Sequence, residues 1–158
     1  SEGIRQQAET IDGWLADIAV CDPAVGSGAF PVGMMSEIVR ARHTLSLYIK
    51  NGDRTSYTLK RSCIENSLYG VDIDAGACEI AKLRLWLSMV VEEDDIKSIK
   101  PLPNLDYKIV CGDSLMKVEK ELFNNELFHE LEELKPIYFG ETNYTKKQDY
   151  KRQMDELY

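Results

Sequence analysis

The sequence predicts an α/β fold, a doubly wound and mostly parallel sheet followed by a helical tail. Three observations predict it. Short apolar runs at Asp17–Asp22, Leu68–Ile73 and Tyr107–Cys111 each run into an acidic or glycine-containing turn. Segments with helical spacing separate those runs, and from about Val118 onward no such run recurs. Strands alternating with helices argue a parallel sheet, because a parallel pair needs a long crossover.

Ile4 to Leu15 reads as helix, so the chain opens as though inside one. Asp17-Ile-Ala-Val-Cys-Asp22 reads as a buried strand entering a turn. A helix is expected over Pro31–Ile49, with Met35, Ile38, Val39, Leu45 and Ile49 as core positions. Pro31 suits a first turn, where no amide donor is needed. Asn51-Gly52-Asp53 breaks that helix, and a second covers Tyr57–Asn66. After the strand Leu68–Ile73, Asp74 is placed to cap a helix over Ala75–Glu92, in which Ile80, Leu83, Leu87 and Val90 recur at helical spacing. Pro101 and Pro103 mark a loop before the third strand. The tail is polar and helical, with Leu122, Leu127, Leu131 and Leu134 as one apolar stripe and a Lys-rich end. The chain therefore divides into 1–16, the end of a preceding helical segment, 17–115, the strand-bearing unit, and 116–158, a helical insertion or linker.

The length, 158 residues with 44% hydrophobic, suffices for one core. No apolar run approaches the about 20 residues that span a bilayer. Ser1–Thr10 lack the apolar segment of a signal peptide. Cys21, Cys63, Cys78 and Cys111 form no C-x-x-C pair and the chain has two histidines, which argues against a zinc site or a disulfide framework. Each cysteine is expected to pack as a small buried hydrophobe in a reducing cytoplasm. The net charge of -8 disfavours a unit that grips DNA by itself, since phosphate neutralisation needs a basic face. Arg40 to Arg61 is the exception, with six basic residues and one acid, Asp53. It reads as a solvated helical hairpin or, alternatively, as a phosphate contact.

The chemistry concentrates in three turns. Asp22-Pro-Ala-Val-Gly-Ser-Gly-Ala-Phe30 follows the first strand, where open α/β sheets bind ligands. Gly26 and Gly28 let backbone approach a ligand, and the next helix aims its amide dipoles there. The pattern is not a dinucleotide fingerprint. Pro31 stands in place of the third glycine, and Asp72 lies 44 residues past Gly28 rather than about 20. A Walker A lysine is absent too. Alone, such a turn also fits a plain strand-to-helix connection. In Tyr69-Gly-Val-Asp-Ile-Asp74, Asp72 ends the second strand, where a carboxylate can accept from both hydroxyls of a ribose and Ile73 can lie against an adenine. In Cys111-Gly-Asp-Ser-Leu115, Asp113 can accept from an adenine amino group or simply close a turn. Together the three acids describe a nucleoside site.

These segments resemble motifs I, II and III of amino-group DNA methyltransferases. With Pro31-Val-Gly-Met-Met-Ser-Glu-Ile-Val-Arg-Ala-Arg42 and Ala81-Lys-Leu-Arg-Leu-Trp-Leu-Ser88, the stretch Asp17–Leu115 is similar to type IIG (Eco57I-like) restriction-modification enzymes. In these, one polypeptide carries nuclease, methyltransferase and DNA-specificity regions. The resemblance implies a Rossmann-like class I S-adenosylmethionine-dependent methyltransferase fold, of which this chain holds the amino-terminal, cofactor-binding half. It implies an adenine-N6 DNA methyltransferase. Asp22, Gly26 and Gly28 would surround the methionine moiety, Asp72 would hold the ribose, Ile73, Asp113 and Phe30 would bind the adenine, and Pro23, Ala24 and Leu115 would also belong to the cofactor site. Magnesium would serve only a nuclease portion outside the chain.

The family's catalytic Asn/Asp-Pro-Pro-Tyr/Phe, which holds the flipped base, is absent, because no two of the five prolines adjoin. The chain is thus expected to be inactive alone, with no catalytic residue of its own and the other half of the sheet beyond Tyr158. Its expected partners are that half, DNA through the full-length protein, and a second copy meeting it at an exposed sheet edge; no membrane is expected. A methyltransferase for another substrate and a non-catalytic nucleotide-binding module remain as alternatives, separated by whether the acceptor motif follows Tyr158.

Overall fold

Parallel pairing of three strands organises the structure, a computed structural model that describes residues 2–49, 52–93, 99, 105–116, 130, 133–134, 137–138 and 144–157. The strands are β1 (Val20–Asp22), β2 (Leu68–Asp72) and β3 (Ile109–Cys111), in the spatial order β1-β2-β3. The register sets Asp22 beside Gly70 and Asp72 beside Cys111, so all three carboxyl ends open on one edge. The helices are α1 (Glu2–Asp17), α2 (Ala29–Leu45), α3 (Ser56–Asn66), α4 (Ala75–Val90) and α5 (Tyr144–Leu157). The chain divides into two compact units, Ser1–Leu115 and Met116–Tyr158.

Local chemistry explains the helix starts. Asp74 caps α4 as its sequence position predicts, accepting from the amides of Gly76 (2.7 Å) and Ala77 (3.2 Å). Thr55 caps α3 by accepting from the Thr58 amide at 3.2 Å. The helix expected from Pro31 begins two residues earlier, at Ala29, because Gly28 takes the left-handed conformation (φ 80°) and turns the chain there. Pro31 still falls among the first amides, which have no partner within the helix.

Strand side chains alternate between faces. Leu68, Gly70 and Ile109 are buried toward α2, α3 and α4, forming one core with Met35, Ile38, Ile64, Ala81, Leu85 and Met89. On the opposite face Cys21 and Val110 are exposed, and Tyr69 is half-buried with the Lys108 ammonium 3.9 Å from its ring centroid. Among the described residues the helices thus cover one face, not both.

Three expectations need correction. Cys63 and Cys78 are buried, and burial pushes both thiols upward, but Cys21 and Cys111 are exposed, Cys21 because β1 presents it on the uncovered face beside Tyr69 and Cys111 because it ends β3 at the open edge. On α4 the core face is Cys78, Ala81, Leu85 and Met89, whereas Ile80 (53% exposed) and Leu83 (52%) face outward with Leu87. Two apolar stripes run along this helix, and the buried one carries small Ala81, which lies against Gly28 in the turn before α2. Leu45 and Ile49, expected in the core, are half-buried, since α2 ends at Leu45 and the chain turns.

In the second unit, Glu133, Leu134, Ile137 and Tyr138 are helical and Tyr138 is buried. Leu122, Leu127 and Leu131 of the expected stripe, and the loop prolines Pro101 and Pro103, lie outside the described residues. Among the described residues no helix is long and apolar enough to cross a membrane.

Candidate functional site

The turn between β1 and α2 is held from three sides. Val25 donates its amide to the Val71 carbonyl (2.9 Å), and its side chain is buried over Gly70. That site leaves no room for a side chain on β2, since a Cβ at Gly70 would fall 2.7 Å from Val25 Cγ2. Asp22 Oδ1 accepts from the Ala24 amide at 3.1 Å, closing the first bend around Pro23. Gly26 donates its amide to Asp72 Oδ2 at 2.8 Å, a link between residues 46 apart in sequence.

Gly26 and Gly28 both have positive φ, at 49° and 80°, but their surroundings differ. A Cβ on Gly26 would meet no atom within 4 Å, so this backbone borders open space. A Cβ on Gly28 would lie 3.0 Å from both Cα and Cβ of Ala81, so that glycine exists to let α4 approach. Only the first has space beside it for a ligand.

Asp72 organises the centre of the edge. Its Oδ1 accepts from the Asp74 amide (3.0 Å) and its Oδ2 from Gly26. These bonds, with the Asp74 amide foremost, hold its carboxyl below the usual carboxylate range. A carboxylate has about four lone-pair sites, so two amide bonds leave acceptor capacity for hydroxyls. Asp113, two residues past β3, accepts from the Leu115 amide at 2.9 Å through Oδ1. It does close a turn, and it is exposed. Gly112 donates to the Asp72 carbonyl at 2.9 Å, which ties the third turn to the second.

The residues singled out from sequence therefore gather along one edge. Asp22, Pro23, Ala24 and Gly26 lie on the first turn, Asp72 and Ile73 on the second, Asp113 and Leu115 on the third. Three apolar side chains stand unusually open there: Phe30 at 54%, Ile73 at 77% and Leu115 at 91% exposure. An edge lined by carboxylate acceptors, a bare glycine backbone and uncovered apolar side chains suits a nucleoside, which is apolar on its faces and polar at its rim. No such arrangement suits a metal: among the described residues no group of three His, Cys, Asp or Glu side chains is placed to hold one.

Sequence reasoning missed Val25, Ala81, Ser27 and Arg84. Arg84 of α4 donates from Nη1 to Ser27 Oγ at 3.1 Å. A contact across 57 residues leaves no local signal.

The basic stretch is engaged within the protein. Arg40 pairs with Glu37, Arg61 with Glu65 (2.9 Å), Lys60 with Glu92 (2.6 Å), and Arg42 and Arg54 with Asp12. Lys50 lies outside the described residues. The stretch comprises the end of α2, a turn and the start of α3, and its described cations already have carboxylate partners, which favours the structural reading over phosphate contact.

Among known proteins, the family model described as "MmeI, DNA-methyltransferase domain" matches residues 2–157. A protein of Methanocaldococcus jannaschii, named as a type II restriction enzyme and methyltransferase, is 42% identical over 106 residues, which are 65% of this chain and 9% of that protein. The chain thus spans less than a tenth of the length of this curated relative. No solved structure matches.

Proposed function

The chain belongs to the family of the MmeI DNA-methyltransferase domain, and from that premise we propose that its strand-edge site binds S-adenosylmethionine for methyl transfer to adenine N6 in DNA. The parent protein would be a restriction-modification enzyme, with DNA as its partner and any magnesium-dependent cleavage in another region. The sheet would be the first half of a Rossmann-like class I methyltransferase fold.

One observation carries the reading: Asp72 joins the glycine turn to the end of β2 while retaining acceptor capacity toward the open edge. Asp72 would take the ribose hydroxyls, Ile73 and Phe30 would flank the adenine, Asp113 would accept from its amino group, and the backbone at Gly26 would face the methionine moiety. Asp22, Pro23 and Ala24 would shape the approach to that moiety, with Gly28 behind it and Leu115 at the adenine's outer rim. The bound donor supplies an activated methyl group, and the residues here orient it, since in-line transfer depends on positioning.

Calorimetric titration tests the reading. S-adenosylmethionine should bind the chain, and Asp113→Ala, which removes one acceptor without touching the Asp72–Gly26 link, should raise Kd about three- to tenfold. Asp72→Ala should raise it by a larger factor, about tenfold or more, because it removes the acceptor of two hydroxyls and the anchor of the Gly26 amide together. No heat of binding by the unsubstituted chain would sink the proposal. With adenine-containing duplex DNA and labelled donor, the chain alone should transfer no methyl group, because it holds no Asn/Asp-Pro-Pro-aromatic sequence. Turnover would place acceptor chemistry in residues outside this edge.

A further inference from the structure

Ser27 is the single residue between two left-handed glycines, Gly26 and Gly28. Glycine has no side chain that a neighbour can grip and loses the most backbone freedom on ordering. In the Gly26–Gly28 segment the Ser27 hydroxyl is therefore the one side-chain handle, and Arg84 Nη1 donates to it at 3.1 Å. Arg84 lies one turn beyond Ala81, on the same side of α4. The helix thus supports the turn twice, by Ala81 packing beneath Gly28 and by the guanidinium holding Ser27. Among the described residues no carboxylate forms an ion pair with Arg84, so its directed bond there is to Ser27.

We propose that Arg84 and Ser27 are a positioning pair that pre-shapes the glycine turn to receive the methyl donor. The inference rests on the reading of this turn as the cofactor site and adds to it a residue from the middle of α4. Ordering the turn beforehand removes an entropy loss that would otherwise fall on ligand binding. Neither side chain needs to touch the reacting atoms for this.

Amide hydrogen exchange on the ligand-free chain tests the pair independently of binding. Arg84→Met keeps the length of the side chain and removes the donor, and Ser27→Ala removes the acceptor. Each should speed exchange at Gly26 and Gly28 about three- to tenfold, and the double variant should do no more than either alone. Arg84→Lys, which keeps a donor, should recover part of the protection. Exchange at Gly70, whose amide bonds the Lys108 carbonyl at 2.7 Å within the sheet, should not change. In titrations the same variants should raise Kd for S-adenosylmethionine by a similar factor. Unchanged exchange at the turn, additive single effects, or equal acceleration at Gly70 would each overturn the pair while leaving the cofactor reading standing. Faster exchange with unaltered affinity would overturn its role in positioning. Absence of donor binding by the unsubstituted chain would instead overturn the cofactor reading, and the pair's role with it.

Discussion

Asp12→Ala should destabilise the protein by about 3–5 kcal/mol in urea unfolding at pH 7, the range for breaking a buried ion pair on one side. Asp12 is a buried α1 residue whose carboxylate receives two arginines. Arg42 donates from Nε (3.0 Å) and Nη2 (3.3 Å), and Arg54 from Nη1 (2.9 Å) and Nη2 (2.7 Å). Arg54 also donates to the Arg42 carbonyl (2.9 Å) and to Ser46 Oγ (2.8 Å), near the carboxyl end of α2, where the helix dipole favours a cation. Without Asp12 two guanidinium groups would face each other with little water. The same cluster predicts an acid limb. The hydrogen bond from Arg54, followed by those from Arg42, lowers the Asp12 pKa from its ordinary 3.8 to about 2, against the opposing effect of burial. A depressed carboxylate pKa means stability that is fully present above the unfolded pKa and lost as pH falls through the folded one. Between about pH 5 and pH 2 the chain should therefore lose about 2 kcal/mol through this residue alone. The loss should be missing from Asp12→Ala. An identical acid limb in both proteins would show that Asp12 is not the group responsible.

Gly28→Ala should lower stability by about 2–4 kcal/mol, combining the strain of a left-handed side-chain residue with overpacking against α4. The relevant contact is the backbone of Ala81, with Cα 3.0 Å from the added methyl group, and backbone cannot swing aside as a flexible side chain can. Gly26→Ala is the paired comparison. Its φ is also positive (49°), but no atom lies within 4 Å of the added Cβ. That variant should lose only the conformational part, about 1–2 kcal/mol. In donor titrations the order should reverse for the fraction that remains folded, because the Gly26 methyl group enters the open edge. Thermal melts and calorimetry on the two variants check both halves. Equal stability losses would mean that the contact with Ala81 is not limiting.

The difference between these two glycines was invisible in the sequence, where both belong to one Gly-Ser-Gly turn. α4 is a second case. Its sequence carries two apolar stripes, and helical spacing identified Ile80, Leu83 and Leu87, yet Cys78, Ala81, Leu85 and Met89 are buried. Periodicity reports that a stripe exists, and packing against the rest of the core selects which one faces inward. Cys21 makes the same point for strands. Its run is apolar, but alternation puts it on the face that the described helices leave uncovered.

What the sequence determined by itself was the local order: an α/β alternation, the Asp74 cap, and three turns bearing Asp22, Asp72 and Asp113. Each is legible because its cause lies within a few residues. Only the tertiary structure decided that Asp72 fastens the turn 46 residues before it, that Asp12 gathers two arginines from beyond β1, and that Arg84 reaches Ser27. These are hydrogen bonds between elements brought side by side by strand pairing and core burial. Their partners are chosen by proximity in space, and sequence spacing carries no trace of it.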